Sequence, residues 1–211
     1  MRRLILNTAV SERATATYFR DNIKFMKEVR LSSYENASYR SNLKASVLKR
    51  AAWYVINVLI FRNPLWAFYI FKVGLLRFFG ARVGKGVVIK PSVSIKYPWL
   101  LSIGDHSWIG EHVWIDNLAM VSIGANVCVS QGALLLTGNH NYKSSRFDLM
   151  VSEIIIEDGV WIGAKAIVCP GVTCASHAVL STGGVATHSL EAYGVYQGNP
   201  AMKVRERVIV E

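Results

Sequence analysis

Between Val83 and about His188, small aliphatic residues return every six positions. The series runs Val83, Ile89 and Ile95, then Ile103, Ile109 and Ile115, then Ile123, Val129 and Leu135. It resumes with Ile156, Ile162, Val168, Cys174, Leu180 and Ala186. A period of six matches neither the 3.6 of a helix nor an isolated amphipathic strand, whereas a coil of three short flat strands turns every sixth residue inward. Such a period marks a solenoid. The phase slips by two residues after Leu100 and again after Met120, so the first two coils take 20 residues and later ones 18. Insertions of that kind belong at corners. The period fails outright once, after His140, where Asn141 to Glu153 (NYKSSRFDLMVSE) is polar and aromatic. The repeat gives no structural reason for a loop of that length, which marks it as functional.

The remaining segments are placed around this repeat. Residues 1–42 are polar and basic without a sustained period, which predicts a loosely ordered lead-in with one short helix around Thr17 to Val29. Residues 43–80 predict a hydrophobic helical hairpin. Its first helix, Leu43 to Phe61, is opened by Ser41 or Asn42 and stopped at Arg62, Asn63 and Pro64. A second apolar segment runs from Leu65 to Phe79. Neither reaches the roughly 20 apolar residues that a bilayer requires, and Pro64 breaks the pair. The β-helix then occupies 81–190, with its loop at 141–153. Gly194, Gly198 and Pro200 mark turns in a terminal cap over 191–211. The expected class is mainly β: a parallel β-helix with an N-terminal helical hairpin and a protruding loop.

A net charge of +10 suggests nucleic acid until it is located. Residues 1–80 hold 14 Lys and Arg against 4 Asp and Glu, and residues 81–211 hold 10 against 10. The organised repeat is neutral, so a nucleic-acid-binding surface is not expected. Cys128, Cys169 and Cys174 are too few and too scattered for a disulfide framework, and none forms a CxxC. The opening MRRLILNTAV meets Ser11, Glu12 and Arg13 too soon for a signal peptide. A reducing, cytoplasmic setting follows as the expectation.

The segments IGDHSW, IGEHVW, IGANVC and WIGAKAIVCPGVT resemble the hexapeptide repeats of left-handed parallel β-helix acyltransferases. The resemblance supplies the left hand, since parallel crossovers are otherwise nearly always right-handed. Within that family, LLRFFGARVG, VIKPSVSIKYPW, SQGALLLTGNHNY, CPGVT and GNPAMKVRERV resemble exopolysaccharide O-acetyltransferases of the colanic acid biosynthesis type. The likeness covers roughly residues 43–211. From Ile123 onward the chain is also similar to the maltose and galactoside acetyltransferases, although TGNH replaces their TGHP.

This resemblance implies acetyl-CoA as donor and a sugar hydroxyl as acceptor. The alcohol is the obstacle, because its pKa lies far above neutral, and one positioned imidazole can relieve it. Among five histidines, His140 alone ends a hexad at the edge of the long loop. It also matches the family's catalytic base, seventeen residues after the hexad-opening Ile123. His106 and His112 are fourth residues of successive hexads, on two different faces, and cannot converge. The related γ-class carbonic anhydrases bind zinc through histidines five residues apart, a pair absent here. No metal is expected.

The hexad from Ile115 should lie directly beneath the one from Leu135, putting Asp116 and Asn117 one coil below the catalytic segment. Two readings stand for them: ligands of a sugar hydroxyl, or a corner Asp-Asn turn. Asn139 and Tyr142 flank the base and are expected in the acceptor cleft, with Lys143 and Arg146 on the loop able to meet an anionic substrate. For the donor, the resemblance implies contacts at Ala164, Thr182, Thr187, His188, Lys203 and Arg205. His188 stands where relatives often carry lysine.

The expected enzyme is an acetyl-CoA-dependent O-acetyltransferase of exopolysaccharide or related glycan synthesis, acting by direct transfer. Its acceptor is open between a free sugar, a nucleotide sugar, a lipid-linked glycan and a non-sugar alcohol or amine. A catalytically silent β-helix scaffold is the alternative from another class. The resemblance also implies a homotrimer. Residues 43–79 have two candidate roles: capping the first coil, or peripheral contact with the inner face of the cell membrane.

Overall fold

The computed structural model describes residues 28–35, 45–66 and 68–210. The lead-in and its short helix fall largely outside them. The chain divides into two compact units, Met1–Glu35 with Asn141–Asp148, and Asn36–His140 with Leu149–Glu211.

The second unit contains the solenoid, and its strand register is the six-residue period made physical. On the first face Val83 pairs with Ile103, then Ile123, Ile156 and Cys174. On the second, Ile89, Ile109, Val129, Ile162 and Leu180 align. The third aligns Ile95, Ile115, Leu135, Val168 and Ala186. All are buried except Val83, which is half-buried on the first coil. Each strand is only two or three residues long before the chain turns.

The turn follows from the fourth residue of each hexad. Ser92, His106, His112, Asn126, Lys165 and His177 occupy it at φ between 55° and 62°. Left-handed backbone suits Asn and His better than most side chains, which explains histidines here without chemistry. The glycine after the inward aliphatic has another cause. A Cβ on Gly104 would lie 2.5 Å from Ala125 N and Gly124 C in the next coil. Coils stack too closely at that point for a side chain.

A solenoid's first coil exposes unpaired backbone, and the helical hairpin covers it. Helix α1 (Val47–Ile56) begins at Ser46, whose Oγ accepts from Lys49 N at 3.2 Å, and runs on into a π-type turn, Asn57–Phe61. Helix α2 spans Tyr69–Phe78. The first helix thus starts later than Leu43, at a different cap. Trp53, Phe61, Val73, Leu76 and Phe79 enter the same core as Ile89 and Ile95.

Side chains of the hairpin then reach the open edge on every face. Arg77 donates to Val83 O and Gly84 O, and Lys72 Nζ donates to Lys90 O at 3.0 Å. Trp53 Nε1 donates to Ile95 O at 2.8 Å, and Asn57 Oδ1 accepts from Ile95 N. Lys72 is fully buried in this role, and burial lowers its pKa from the ordinary lysine value. The described residues 45–66 and 68–79 thus cap the first coil through side chains that reach each of its three faces.

At the other end the second face continues past residue 190. Gly194–Gln197 pairs in parallel with Val179–Leu180, and Met202–Glu206 closes the sheet antiparallel to it. In the first unit, a 3-10 turn at Leu31–Ser33 lies beside the loop, with Arg30 N donating to Ser145 O at 2.8 Å.

Candidate active site

All three insertions fall at one corner, between the third and first faces. The two-residue slips become short irregular turns after Ile95 and Ile115, and each is held from the coil above by a buried polar residue. Asn117 Nδ2 donates to Tyr97 O at 2.6 Å and Leu100 O at 2.9 Å, while its Oδ1 accepts from Tyr97 N. Thr137, one coil of 20 residues later, repeats the device. Its hydroxyl accepts from Leu118 N and Ala119 N and donates to Asp116 O. Both residues are fully buried. Buried backbone groups need such partners.

On the third coil the same corner opens into a two-stranded arm. Gly138–His140 pairs antiparallel with Leu149–Val151. The loop expected over 141–153 is accordingly shorter, because Leu149 to Val151 returns as strand. Strand alternation sorts the arm's residues by face. Leu149 and Val151 pack on a small second core of Tyr97, Leu100 and Leu118, and a Cβ on Gly138 would meet Leu118 Cδ1 at 2.8 Å. Gly138, His140, Leu149 and Val151 therefore share the side turned to the corner. Asn139 and Met150 share the opposite, exposed side. His140 is half-buried there, its backbone N–H donating to Asn139 Oδ1 at 2.8 Å.

Asp116 and Asn117 differ in their surroundings. Asn117 is a corner residue with its amide fully engaged, leaving nothing for a ligand. Asp116 pairs across the coil with Leu136, and Lys96 Nζ lies 2.8 Å from its Oδ1, an ion pair outside hydrogen-bonding angles. Tyr142, Lys143 and Arg146 belong to the first unit. Lys143 Nζ lies 5.9 Å from the centre of the exposed Tyr142 ring, and Arg146 is drawn to Asp148 at 3.4 Å.

The candidate donor residues are only partly brought together. Ala164 and Thr182 occupy equivalent corner places, with Gly183 N donating to Ala164 O at 2.9 Å. Thr182 and Arg205 line a groove of about 870 Å³ beside Trp161 and Gln197. Thr187 and His188 form a separate exposed pair, Oγ1 to Nδ1 at 3.0 Å. Lys203 is held between Glu191 at 2.8 Å and Glu206 at 2.7 Å, which push its pKa up. Its charge is thus already matched. Burial pushes the Cys174 thiol up to about 12 and removes it as a nucleophile.

No family model matches the chain. WcaF of Escherichia coli K12, assigned as a colanic acid biosynthesis acetyltransferase, is 38% identical over 166 residues, 79% of this chain and 91% of that one. The chain belongs to the hexapeptide-repeat acetyltransferases. The galactoside O-acetyltransferase of Escherichia coli is 27% identical over 138 residues, 64% of this chain and 68% of that one. A hexapeptide-repeat acetyltransferase of Vibrio cholerae, solved with acetyl coenzyme A, shares the fold at a TM-score of 0.72 and 21% identity. It covers 83% of this chain and 93% of its own. The left-handed form of the β-helix comes with this membership.

In this acetyltransferase, sequence reasoning missed Thr137, although its 20-residue offset from Asn117 was visible, and missed the requirement for glycine at 138. The two neighbours Asp116 and Asn117 should separate experimentally. Asn117→Ala strands buried backbone groups and should cost about 1–3 kcal/mol of stability in denaturant unfolding. Asp116→Asn should leave the unfolding midpoint nearly unchanged.

Proposed function

We propose that the chain transfers the acetyl group of acetyl-CoA directly to a sugar hydroxyl in exopolysaccharide or related glycan synthesis, with His140 as general base. The observation that carries this is the widened corner. A second small core supports a two-stranded arm there, and the one histidine on that arm faces the corner.

In the reaction, His140 takes the proton of the acceptor hydroxyl as its oxygen attacks the thioester carbonyl. The oxyanion is held by a backbone N–H. Collapse expels the thiolate of coenzyme A, which recovers the proton from the imidazolium. Asp116 holds the acceptor hydroxyl. Thr182 and Arg205 take the donor along their shared groove, Ala164 lies one coil away from Thr182, and Thr187 and His188 contact the donor from their separate exposed place. Lys203 contributes only where a phosphate displaces one of its carboxylates.

The outward columns of the solenoid support a trimer. The second face shows Val88, Trp108, Cys128 and Trp161, and on its later coils the third shows Leu134, Ile167 and Val185. The first is polar apart from Ile155. Two adjacent apolar faces on each copy suit a closed ring in which one packs on the other.

The hairpin's outer side supports peripheral contact with an anionic membrane, on the inner face of the cell membrane. Leu48, Leu59, Leu65, Phe68, Ile70 and Phe78 are exposed. Capping the first coil does not use them. No Asp or Glu occurs between Glu35 and Asp105, and each Lys or Arg near an anionic surface is worth about 1 kcal/mol. No helix among the described residues is long and apolar enough to cross a membrane.

His140→Ala should lower turnover at least about 100-fold, with donor affinity nearly unchanged, because the base acts in the transition state. Most of the turnover surviving would remove the assignment, and His106→Ala serves as the insensitive control. Sedimentation velocity should find the active species at three times the chain mass; a stable active monomer excludes the ring. Co-sedimentation should show binding to anionic vesicles that weakens with salt. If folded, active protein binds neither anionic nor neutral vesicles, capping is the hairpin's sole role.

A further inference from the structure

Between α1 and the third face lies a cavity of about 520 Å³ whose wall includes Asp116. A second, of about 620 Å³, continues from it through the shared Arg62, Ser94 and Trp114. The walls are aromatic and cationic. Tyr54 and Trp114 are exposed along them, and Arg50, Arg62 and Lys96 supply three cations against the one carboxylate of Asp116.

Lys96 is matched to Asp116 at 2.8 Å. Arg50 and Arg62 make no ion pair with the described residues, and Arg50 Nε is buried without a hydrogen-bond partner. Folding does not account for them. The bonds that cap the first coil come from Trp53, Asn57, Lys72 and Arg77. A buried, unpartnered guanidinium nitrogen is costly unless something completes it.

We infer that this groove binds the acceptor and is built for a sugar carrying a phosphate group. Its name as the acceptor site rests on the acetyl-transfer reading; its preference for phosphate does not. Guanidinium presents donors in a planar fork that matches phosphate oxygens two at a time. Two unmatched guanidiniums suit a doubly charged phosphate better than a single carboxylate. Tyr54 and Trp114 offer flat apolar surface to a sugar ring, and Asp116 receives a hydroxyl at the groove's end. From there the corner leads to the base. The carbonyl of Asp116 accepts from Thr137 Oγ1, and His140 is three residues further on, no more than about 10 Å of extended chain. The phosphate end anchors the substrate while the hydroxyl end meets the chemistry.

Titration calorimetry on the full chain tests this with glucose 1-phosphate, glucose and glucuronate. Glucose 1-phosphate should bind at least about tenfold more tightly than either of the others. Arg62→Gln, on the exposed rim, should lose about tenfold in that affinity, and adding Arg50→Gln should abolish the preference. Arg205→Gln, on the candidate donor groove, should leave it intact. Equal binding of phosphorylated and neutral sugar, glucuronate binding as tightly as the phosphate, or a preference lost with Arg205 instead would each overturn the inference. Because no acetyl transfer is measured, a phosphate preference in a chain that cleaves no thioester would sink the catalytic reading and leave the groove standing.

Discussion

Backbone hydrogen bonding between successive coils is the interaction on which the rest depends. Strands of two or three residues have no stability of their own, and their N–H and C=O groups are completed only by the coil above and the coil below. Close stacking follows, and with it the glycine after Ile103, Ile109, Ile123 and Ile162. It also makes the two ends a liability. At the C-terminal end the chain adds an antiparallel strand. At the first coil no further strand is present among the described residues, and four side chains of the hairpin bond to the exposed backbone edge while its aromatics close the core. The buried Lys72, anomalous in an apolar helix, is explained by the carbonyl of Lys90.

The same regularity makes a local departure effective. Two corners are each lengthened by two residues, and the third opens into an arm, all in one column of the prism. Extra backbone at the first two would be left unsatisfied, and Asn117 and Thr137 are the buried groups that complete it. Their fixed corners supply Tyr97, Leu100 and Leu118, the small core on which Leu149 and Val151 rest. Position 140 is thereby held by packing on one side of a short ladder. A rigid scaffold with one organised irregularity fixes the orientation of the side chain at position 140, as the proposed role of general base requires.

Charge is distributed by the same division. Residues 81–211 balance 10 Lys and Arg against 10 Asp and Glu, while the segment between Glu35 and Asp105 carries cations without a single acid. Some of those cations cap the first coil. Arg50 and Arg62 do not, and they face the groove that ends at Asp116. One hairpin thus closes the solenoid on its inner side and shapes a polar wall beside the corner.

The six-residue spacing alone determined the inward residues, the three faces and the coil lengths, because parallel stacking in register admits only one solution for that period. His140 stood out for the same reason, as the last residue before the period fails. Other features depended on three-dimensional partners. What Asp116 and Asn117 engage could not be read from two adjacent polar residues: the backbone of the preceding corner takes the Asn117 amide, and Lys96 takes the Asp116 carboxylate. Asn139 flanks His140 in sequence, yet strand pairing with Met150 turns it to the other side. Lys203 is a donor contact by resemblance, and only the fold shows it lying between Glu191 and Glu206. The groove of Arg50, Arg62 and Trp114 draws on segments about 50 residues apart, and only packing of the helix against the third face brings them together.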